Sequence, residues 1–285
     1  MSDPGLVLVT GPTGTVGAPL TELLADRGVP TVAGARDPAT YRGPVAARAL
    51  DFERPDTFPA ALAGVRRVFL MRPPAIADTK GRLRPFIVAA RAGGVEQVVF
   101  LSVLGVNRAL PHWQVEQDLR ASGMDWTFLR PSFFAQNLET AYRADIRDGS
   151  HLHLASGNGR TSFVDTRDVA AVAVAALTEP AAHRGQAYTL TGPAALTWHE
   201  VASMLSAELG RAITYEPLGL LARRAELRRL GLPTASVRVQ LVIDVVARLG
   251  LAARVTDTTA AVLGRPATPL ATYLRDRREV WLRTV

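Results

Sequence analysis

The stretch Leu6-Val7-Leu8-Val9-Thr10-Gly11-Pro12-Thr13-Gly14-Thr15-Val16-Gly17 decides the fold of this chain. Its four leading apolar residues are typical of a buried parallel strand, and three glycines follow at the spacing G-x-x-G-x-x-G. Leucines recur on one helical face after Gly17, which predicts a strand, a tight turn and a helix in succession. Such a turn lets backbone approach a pyrophosphate, and the helix start favours an anion. The stretch therefore predicts a dinucleotide-binding site, with a purely structural glycine turn as the alternative.

The composition allows a large core and excludes thiol chemistry. The 285 residues are 48% hydrophobic and include no cysteine, so disulfides, thiolate metal sites and cysteine nucleophiles are excluded. Residues 1–5 lack a signal-like pattern, and the apolar run 169–177 is too short to span a bilayer. These features predict a cytoplasmic protein with no membrane partner.

The positive charge is concentrated near the C-terminus. The formal net charge is +7, and residues 221–285 alone hold twelve arginines against five acidic residues. These arginines are interleaved with leucine, valine and alanine at helical spacing. We interpret them as a solvated helix face and expect no nucleic-acid partner, while a nucleic-acid surface is the alternative.

The end of the second predicted strand, 31–35, indicates which dinucleotide is bound. In an NAD-binding unit an acidic residue usually stands here and hydrogen-bonds the ribose hydroxyls. This chain has Arg36 in that place. An arginine pairs well with a phosphate, so Arg36 favours NADP over NAD. The neighbouring Asp37 keeps open the alternative of a solvated loop arginine.

Further strands alternate with helices as far as Pro131. The additional predicted strands are 46–50, 67–71, 97–103 and 126–131, and the helices between them include 80–92 and 111–122. This alternation predicts an α/β fold with a doubly wound parallel sheet. Asp51 and Phe52 end the third strand, where contact with adenine and an ordinary loop position are equally open interpretations.

Beyond Pro131 the alternation loosens. Predicted helices are 132–147, 166–177, 201–209, 236–249 and 270–282, and predicted strands are 187–190 and 213–215. Thr197 and Glu200 have the spacing of a capping box that opens a helix. We expect a dinucleotide-binding domain over 1–150, with returning segments from 151–195. A smaller, mostly helical lobe over 196–285 is expected to cover the catalytic edge.

Two common catalytic arrangements are missing from the sequence. Short-chain dehydrogenases commonly pair a tyrosine with a lysine four residues later, which lowers the tyrosine pKa. The only lysine here is Lys80, and Ile76 precedes it by four residues. His151 and His153 alternate on a predicted strand, but no carboxylate partner is identified near them, so no metal site is predicted.

Several segments together resemble the NmrA-like atypical short-chain dehydrogenases/reductases. They are LVLVTGPTGTVG, RRVFLMRPP, QVVFLSVLG, PHWQVEQDLRASGMDWTFLRPSFFAQN, TSFVDTRDVAAVAVAAL and VTDTTAAVLGRPATPLATYLRDRREVW. The group includes triphenylmethane reductases, quinone oxidoreductases, isoflavone-reductase relatives and ergot-alkaloid dehydrogenases. The resemblance covers nearly the whole chain and implies a Rossmann domain, NADP binding and a substrate cleft under the small lobe. Some members of the group bind the cofactor without turning anything over.

The resemblance also implies roles for individual residues. The implied pyrophosphate-binding residues are Gly11, Thr13, Gly14, Thr15 and Val16, and Arg36 is implied to bind the 2′-phosphate. The residues implied to line the ribose and nicotinamide are Met71, Arg72, Pro73, Ser102, Pro131, Phe133 and Phe134. The residues expected near the substrate are Trp113, Phe134 and Asn137. Trp113 and Phe134 either stack on a flat substrate or are ordinary core aromatics.

His112 is the candidate catalytic residue. It stands where relatives of the isoflavone-reductase type carry a lysine, so the usual proton-transfer scheme does not carry over directly. With its ordinary pKa near 6.5, His112 is a candidate proton donor, and the rate is then expected to fall as pH rises through that pKa. The alternative is that His112 only starts a helix after Pro111.

The sequence therefore predicts an NADPH-dependent reductase. Its expected substrate is a small conjugated or iminium-type organic molecule in secondary metabolism or detoxification. The alternative is a non-catalytic NADP sensor that acts through a protein partner. We expect a monomer or a homodimer.

Overall fold

The computed structural model describes residues 5–282 and divides into two compact units. Unit 1 comprises Met1–Pro131, Thr166–Leu190 and Thr258–Arg265; unit 2 comprises Ser132–Asp165, Thr191–Asp257 and Pro266–Val285. Residues 1–4, part of the segment searched for a signal pattern, lie outside the described residues. These bounds differ from the expected 1–150 and 196–285, because the chain enters unit 2 directly after β6 ends at Pro131 and later returns twice.

Twelve strands and twelve helices make up the described part of the chain. The strands are β1 Leu6–Thr10, β2 Thr31–Ala35, β3 Ala46–Ala49, β4 Val65–Met71, β5 Gln97–Leu101, β6 Asp125–Pro131, β7 Phe133–Phe134, β8 His151–Leu154, β9 Arg160–Val164, β10 Gln186–Leu190, β11 Ala195–Thr197 and β12 Thr214–Pro217. The helices are α1 Gly17–Asp26, α2 Phe58–Leu62, α3 Thr79–Ala92, α4 Pro111–Ala121, α5 Asn137–Thr140, α6 Thr166–Thr178, α7 Pro180–His183, α8 Trp198–Leu209, α9 Leu220–Arg229, α10 Thr234–Arg248, α11 Thr258–Leu263 and α12 Leu270–Asp276. None of the described helices is both long and apolar enough to cross a membrane.

Unit 1 is built on a seven-stranded parallel sheet. The strand order is β10-β6-β5-β4-β1-β2-β3, with Leu8 of β1 opposite Val32 on one side and Val68 on the other. The predicted α/β, doubly wound fold is confirmed. Because every strand runs the same way, the ends of β1, β2, β4, β5 and β6 meet at one edge, where ligands bind in such sheets.

Two buried polar side chains anchor α6 against this sheet. Arg67 of β4 donates from Nη1 to the carbonyl oxygen of Leu177 at 2.7 Å. Gln97 of β5 donates from Nε2 to the carbonyl oxygen of Ala176 at 3.0 Å. The last carbonyls of a helix have no partner within the helix, so these bonds satisfy groups that burial would otherwise penalise. The sheet thereby fixes where α6 ends.

Unit 2 contains a three-stranded sheet, β11-β9-β7, and a β12-β8 pair. The predicted helix over 132–147 is wrong: the structure has β7, the short α5 and a π-helical turn at Asp145–Gly149. Phe133 pairs with Phe163 of β9 and lies edge-on to Trp198 at 5.8 Å between ring centroids. This pairing with a distant strand overrides the local helical pattern. The predicted helix over 270–282 also ends early, at Asp276, because a 3₁₀ turn at Arg278–Trp281 buries the Trp281 ring.

The capping box that the sequence predicts for α8 is confirmed. Thr197 Oγ1 accepts the Glu200 N–H at 3.2 Å, and Glu200 Oε2 accepts the Thr197 N–H at 2.6 Å. The two residues satisfy each other's free donors at the helix start. Hydrogen bonds to backbone and to Arg160 lower the pKa of Glu200, which keeps its carboxylate charged for this role.

We predict that Thr197→Ala lowers the free energy of unfolding by about 1 kcal/mol, because α8 loses its N-cap acceptor. Urea denaturation measures the change. The matched control is Ser203→Ala on the exposed side of the same helix, where Ser203 Oγ bonds only the carbonyl oxygen of His199. Equal losses for the two variants would contradict a specific capping role.

Candidate dinucleotide-binding site

The turn between β1 and α1 is built by close backbone packing. Gly11 has a positive φ of 61°, which glycine adopts without strain. A Cβ at Gly17 would overlap the Gly11 carbonyl oxygen, and a Cβ at Gly14 would lie 3.3 Å from it. The Gly14 N–H donates to the same oxygen at 3.0 Å. Larger residues at these positions would therefore open the turn.

The turn presents unpaired backbone donors. Within residues 5–282, the N–H groups of Thr13, Thr15 and Val16 have no acceptor. Val16 is the N-cap of α1 and gives the helix no side-chain cap, and the first turn of α1 holds no acidic residue. Three free N–H groups at the positive end of a helix, with no Cβ in the way, fit a pyrophosphate. The residues present thus fit the phosphates of a dinucleotide.

Met71 and Thr10 hold the turn at the ends of two neighbouring strands. The Met71 N–H donates to Thr10 Oγ1 at 2.8 Å, which joins β4 to β1. A Cβ at Gly11 would lie 2.7 Å from Met71 Cγ, so the Met71 side chain lies directly against the Gly11 backbone. The structure thus brings Met71 beside the glycine turn, at the edge for which it was predicted.

Arg36 follows β2 and is exposed. In the part of the chain that the structure describes, it forms no ion pair or hydrogen bond. The neighbouring Asp37 uses its carboxylate locally, where Oδ1 accepts the Ala39 N–H at 3.0 Å and caps a short 3₁₀ turn. The guanidinium of Arg36 is therefore available for a phosphate, and the carboxylate of the adjacent Asp37 is already hydrogen-bonded.

The side chains of Asp51 and Phe52 lie in different surroundings. Phe52 is only 8% exposed and packs edge-on against Phe86 with ring centroids 5.2 Å apart. It belongs to the core of unit 1, so its predicted cofactor contact is not supported. Asp51 is half-buried, and its Oδ1 accepts the Glu53 N–H at 2.9 Å. An adenine contact by Asp51 stays a prediction.

Arg72 organises the loop that follows β4. Its Nη1 donates to three carbonyl oxygens, those of Pro73 at 3.1 Å, Pro74 at 3.3 Å and Ile76 at 2.6 Å. Burial lowers the pKa of this guanidinium. Its Nε faces His112, and Nη2 donates to no group among the described residues. Arg72 thus fixes the predicted proline loop and has one nitrogen left for a ligand.

A buried network joins the ends of β5 and β6. Ser102 Oγ donates to Glu116 Oε1 at 2.7 Å, and Arg130 donates from Nε and Nη2 to the two Glu116 oxygens at 2.9 and 2.5 Å. Glu116 is 1% exposed, so its charge depends on this paired, hydrogen-bonded geometry. The Ser102 hydroxyl is oriented by Glu116, which leaves its oxygen lone pairs for a donor on a ligand.

Ser102 is predicted from the sequence, whereas Glu116 and Arg130 are not. A signal for Glu116 was present, because an acidic residue stands beside Val115 on the core side of the predicted helix 111–122. Arg130 had a weaker signal, since it only precedes Pro131 at the end of a strand. Pro131 itself is buried, and its carbonyl oxygen accepts the Leu104 N–H at 2.9 Å.

Known proteins with similar sequences identify the family of this chain. The sequence matches the NAD(P)H-binding family over residues 11–180. It is 36% identical to an NAD(P)H azoreductase of Xenophilus azovorans, over 95% of this chain and 97% of that protein. This chain belongs to the NmrA-like NAD(P)H-binding family. The predictions that the chain belongs to this family and is an NAD(P)H-dependent oxidoreductase are thereby confirmed.

Two further relatives show how far the likeness extends. The chain is 34% identical to the (4-alkanoyl-5-oxo-2,5-dihydrofuran-3-yl)methyl phosphate reductase of Streptomyces griseus subsp. griseus, over 97% of this chain and 99% of that protein. The crystal structure of the NADPH-dependent quinone oxidoreductase of Escherichia coli, complexed with NADPH, superposes with a TM-score of 0.85 at 28% identity. That match covers 95% of this chain and 99% of that chain.

In this NmrA-like chain, His112 lies in the first turn of α4. Arg72 Nε donates to His112 Nε2 at 3.4 Å, and His112 Nδ1 is buried with no hydrogen-bond partner among the described residues. Burial is the main cause that lowers the His112 pKa to about 4; the Arg72 charge adds to it and Glu116 opposes it. The ring is therefore neutral at pH 7, with its proton on Nδ1 because Nε2 accepts.

This environment changes what is expected of His112. The predicted role as an imidazolium donor needs a protonated ring, which burial and Arg72 disfavour. Any rate step that depends on His112 moves from near pH 6.5 to about pH 4. The competing interpretation, that His112 helps to start α4 after Pro111, agrees with its place in that helix.

The remaining predicted residues fall in both units. In unit 1, Trp113 is half-buried, with Arg108 over its ring at 5.7 Å from the centroid. In unit 2, Phe133 belongs to an aromatic cluster with Phe163, while Phe134 and Asn137 are half-buried. The roles of these residues at the nicotinamide or substrate stay predictions.

The expectation that His151 and His153 lack carboxylate partners is wrong. His153 Nδ1 lies 2.7 Å from Glu226 Oε1, and its Nε2 lies 3.5 Å from Glu216 Oε2. Glu216 and Glu226 are distant in sequence and reach His153 through β12 and α9. Across residues 5–282 there is no group of three or more such side chains that could hold a metal ion.

We predict that the His112 environment makes the protein less stable in acid. The folded-state pKa is lowered to about 4, so the unfolded chain takes up the proton first as pH falls below 6.5. Stability is therefore full above that value and falls as pH drops toward 4. In urea denaturation, the wild type should lose on the order of 2–3 kcal/mol more than His112→Phe between pH 7 and 4.5.

The matched control for this measurement is His199→Phe, since His199 is an exposed histidine of unit 2. This control should keep the wild-type dependence on pH. Identical pH dependence in the wild type and His112→Phe would show that His112 is not held neutral by the fold.

Proposed function

We propose that this chain is an NADPH-dependent reductase that transfers hydride to a small conjugated or iminium-type organic molecule. The observation that carries the proposal is the glycine turn at residues 11–17, with its free N–H groups, together with the unpaired Arg36 after β2. The turn fits the pyrophosphate, and Arg36 supplies a cation where the 2′-phosphate is expected. Similar proteins named as azo- and quinone reductases support an electron-poor acceptor.

Different residues of unit 1 bind the parts of the cofactor and orient it. Thr13, Thr15 and Val16 donate their N–H groups to the pyrophosphate, and Arg36 binds the 2′-phosphate. Arg72 holds the loop after β4 and offers Nη2 to the ligand. Ser102, oriented by Glu116, accepts a hydrogen bond on the nicotinamide side.

The need for a proton determines which hydride acceptors the protein can reduce. Bound NADPH supplies the hydride, because nicotinamide cofactors carry this chemistry themselves. An iminium acceptor is neutralised by the hydride alone and needs no acid from the protein. A quinone, enone or azo acceptor gains a proton as well, and with His112 neutral we propose that water supplies it.

The residues proposed to contact the substrate are Phe134 and Asn137. Phe134 is proposed to flank the nicotinamide and stack on a flat substrate, and Asn137 to hydrogen-bond it. A place in secondary metabolism or detoxification and a cytoplasmic location are parts of the same proposal. We propose small molecules as its partners and neither nucleic acid nor a resident metal.

A cofactor-binding regulatory protein is the second candidate function. The observation that favours it is the state of His112, which is neutral and has its Nδ1 buried. The sequence also lacks the tyrosine–lysine pair of typical short-chain dehydrogenases. Such a protein would bind NADPH with the same turn and act through a protein partner.

The two candidates are separated by turnover. The protein is incubated with NADPH and a panel of quinones, enones, iminium compounds and azo dyes, and the NADPH absorbance is followed. The proposal expects consumption with at least one class, fastest with acceptors that need no proton. Tight NADPH binding without consumption across the panel would favour the regulatory function and overturn the proposed reductase.

Arg36 gives a sharper test of the cofactor. We predict that Arg36→Ala weakens NADPH binding by about tenfold to a hundredfold, since a charge-assisted phosphate contact is worth roughly 1.5–3 kcal/mol. NADH binding, measured by the same titration, should change little. Arg54→Ala is the control, because Arg54 is an exposed arginine that pairs with Asp56. Equal losses for NADPH and NADH would remove Arg36 from the 2′-phosphate.

A further inference from the structure

Exposed apolar side chains are concentrated in one segment of unit 2, residues 220–255. This segment contains α9, α10 and the residues that follow them, and we call it the α9–α10 hairpin. Of the eleven large apolar side chains exposed in the described part of the chain, nine belong to it. They are Leu220, Leu221, Leu230, Val239, Val242, Val246, Leu249, Leu251 and Val255. Solvation of a helix face does not account for such a concentration.

Helix α10 is apolar on more sides than the chain covers. Its buried residues are Val237, Asp244 and Ala247, which face the rest of unit 2. On another side, Val239, Val242, Val246 and Leu249 recur at spacings of three, four and three, and each is at least 36% exposed. A helix that is apolar all round is normally covered all round. Among the described residues, no part of the chain covers this second face.

Every exposed ionic side chain of the hairpin is positive, while the exposed carboxylates Glu216 and Asp257 flank it in the sequence. The exposed ionic side chains of the hairpin are Arg224, Arg228, Arg229, Arg238, Arg248 and Arg254. Within the described residues, none of these six forms an ion pair.

The hairpin has only two acidic residues, and both are used internally. Glu226 bonds His153 at 2.7 Å and Arg223 at 2.7 Å. Asp244 is 1% exposed and accepts from Ser156 at 3.0 Å. The hairpin therefore presents arginines and apolar side chains without any exposed carboxylate.

We propose that the α9–α10 hairpin docks on an anionic lipid surface. Leucine and valine side chains enter the boundary between headgroups and acyl chains, and the arginines bind the anionic headgroups. A second copy of the chain is a poorer fit, because it would bring another surface of unpaired arginines to the same place. The apolar side chains also lie on both helices and on the segment after α10, as a broad membrane surface requires.

This proposal departs from the sequence-based interpretation of the basic C-terminal region and from the expectation of no membrane partner. That interpretation took the arginines as a solvated helix face, because the exposure of the intervening leucines and valines was not visible in the sequence. The dinucleotide site in unit 1 does not enter the proposal.

The test is co-sedimentation of the full-length protein with vesicles. One set contains equal parts of phosphatidylcholine and phosphatidylglycerol, and the other contains phosphatidylcholine alone. We expect binding to the anionic set only, weakening as salt is raised. The double variant Arg224→Gln/Arg228→Gln should bind about 25-fold more weakly, at about fivefold for each arginine near the surface. Val242→Glu should abolish binding.

Matched controls change the same residue types in unit 1. Val88→Glu alters a valine of α3 that is as exposed as Val242, at 63% against 59%. Arg27→Gln/Arg54→Gln removes the same net charge from two exposed arginines. Both controls should bind anionic vesicles like the wild type, and an unchanged far-UV circular dichroism spectrum in every variant shows that both units stay folded.

Three outcomes would overturn the proposal. The first is no binding to anionic vesicles at low salt. The second is binding that Val242→Glu leaves unchanged, which shows non-specific attraction of a basic protein. The third is a dimer in solution, measured by analytical ultracentrifugation, that Val242→Glu converts to a monomer. That result assigns the face to a second copy.

Discussion

The contact on which unit 1 depends is the approach of the α1 start to the turn that precedes it. A Cβ at Gly17 would overlap the carbonyl oxygen of Gly11, so only glycine lets α1 begin this close to the end of β1. The same approach leaves three backbone N–H groups unpaired at the positive end of the helix. These groups form a candidate anion site from the backbone, in a turn whose glycines are costly in conformational entropy.

Two charged side chains near the strand ends, Glu116 and Arg72, are held in place by hydrogen bonds. Glu116 is held by Ser102 and Arg130, and Arg72 by three carbonyl oxygens of its own loop. These bonds orient groups at the ends of β4, β5 and β6, where parallel strands present ligand-binding residues. A preorganised edge of this kind suits a cofactor that carries the chemistry, since the protein then only binds and orients.

The features predicted correctly from the sequence depend on residues that are close together in the chain. The β1–α1 turn, the parallel sheet and the capping box at Thr197 each follow from residues within a few positions of one another. The pKa of His112 and the irregular segment 132–147 do not. His112 is neutral because burial lowers its pKa and the charge of Arg72, forty residues earlier, lowers it further. Phe133 is a strand residue because β9 pairs with it. Neither partner can be identified from spacing in the sequence.

We propose that the edge of unit 1 holds NADPH for hydride transfer to a small acceptor. A single turnover tests it, with NADPH deuterated at one or the other of the two C4 positions of the nicotinamide and a cationic iminium acceptor, whose carbon retains the transferred deuterium. We expect deuterium on the reduced product from one of the two C4 positions only, with a primary isotope effect on the transfer. Product without deuterium from either position, or bound NADPH that is not consumed, would contradict it.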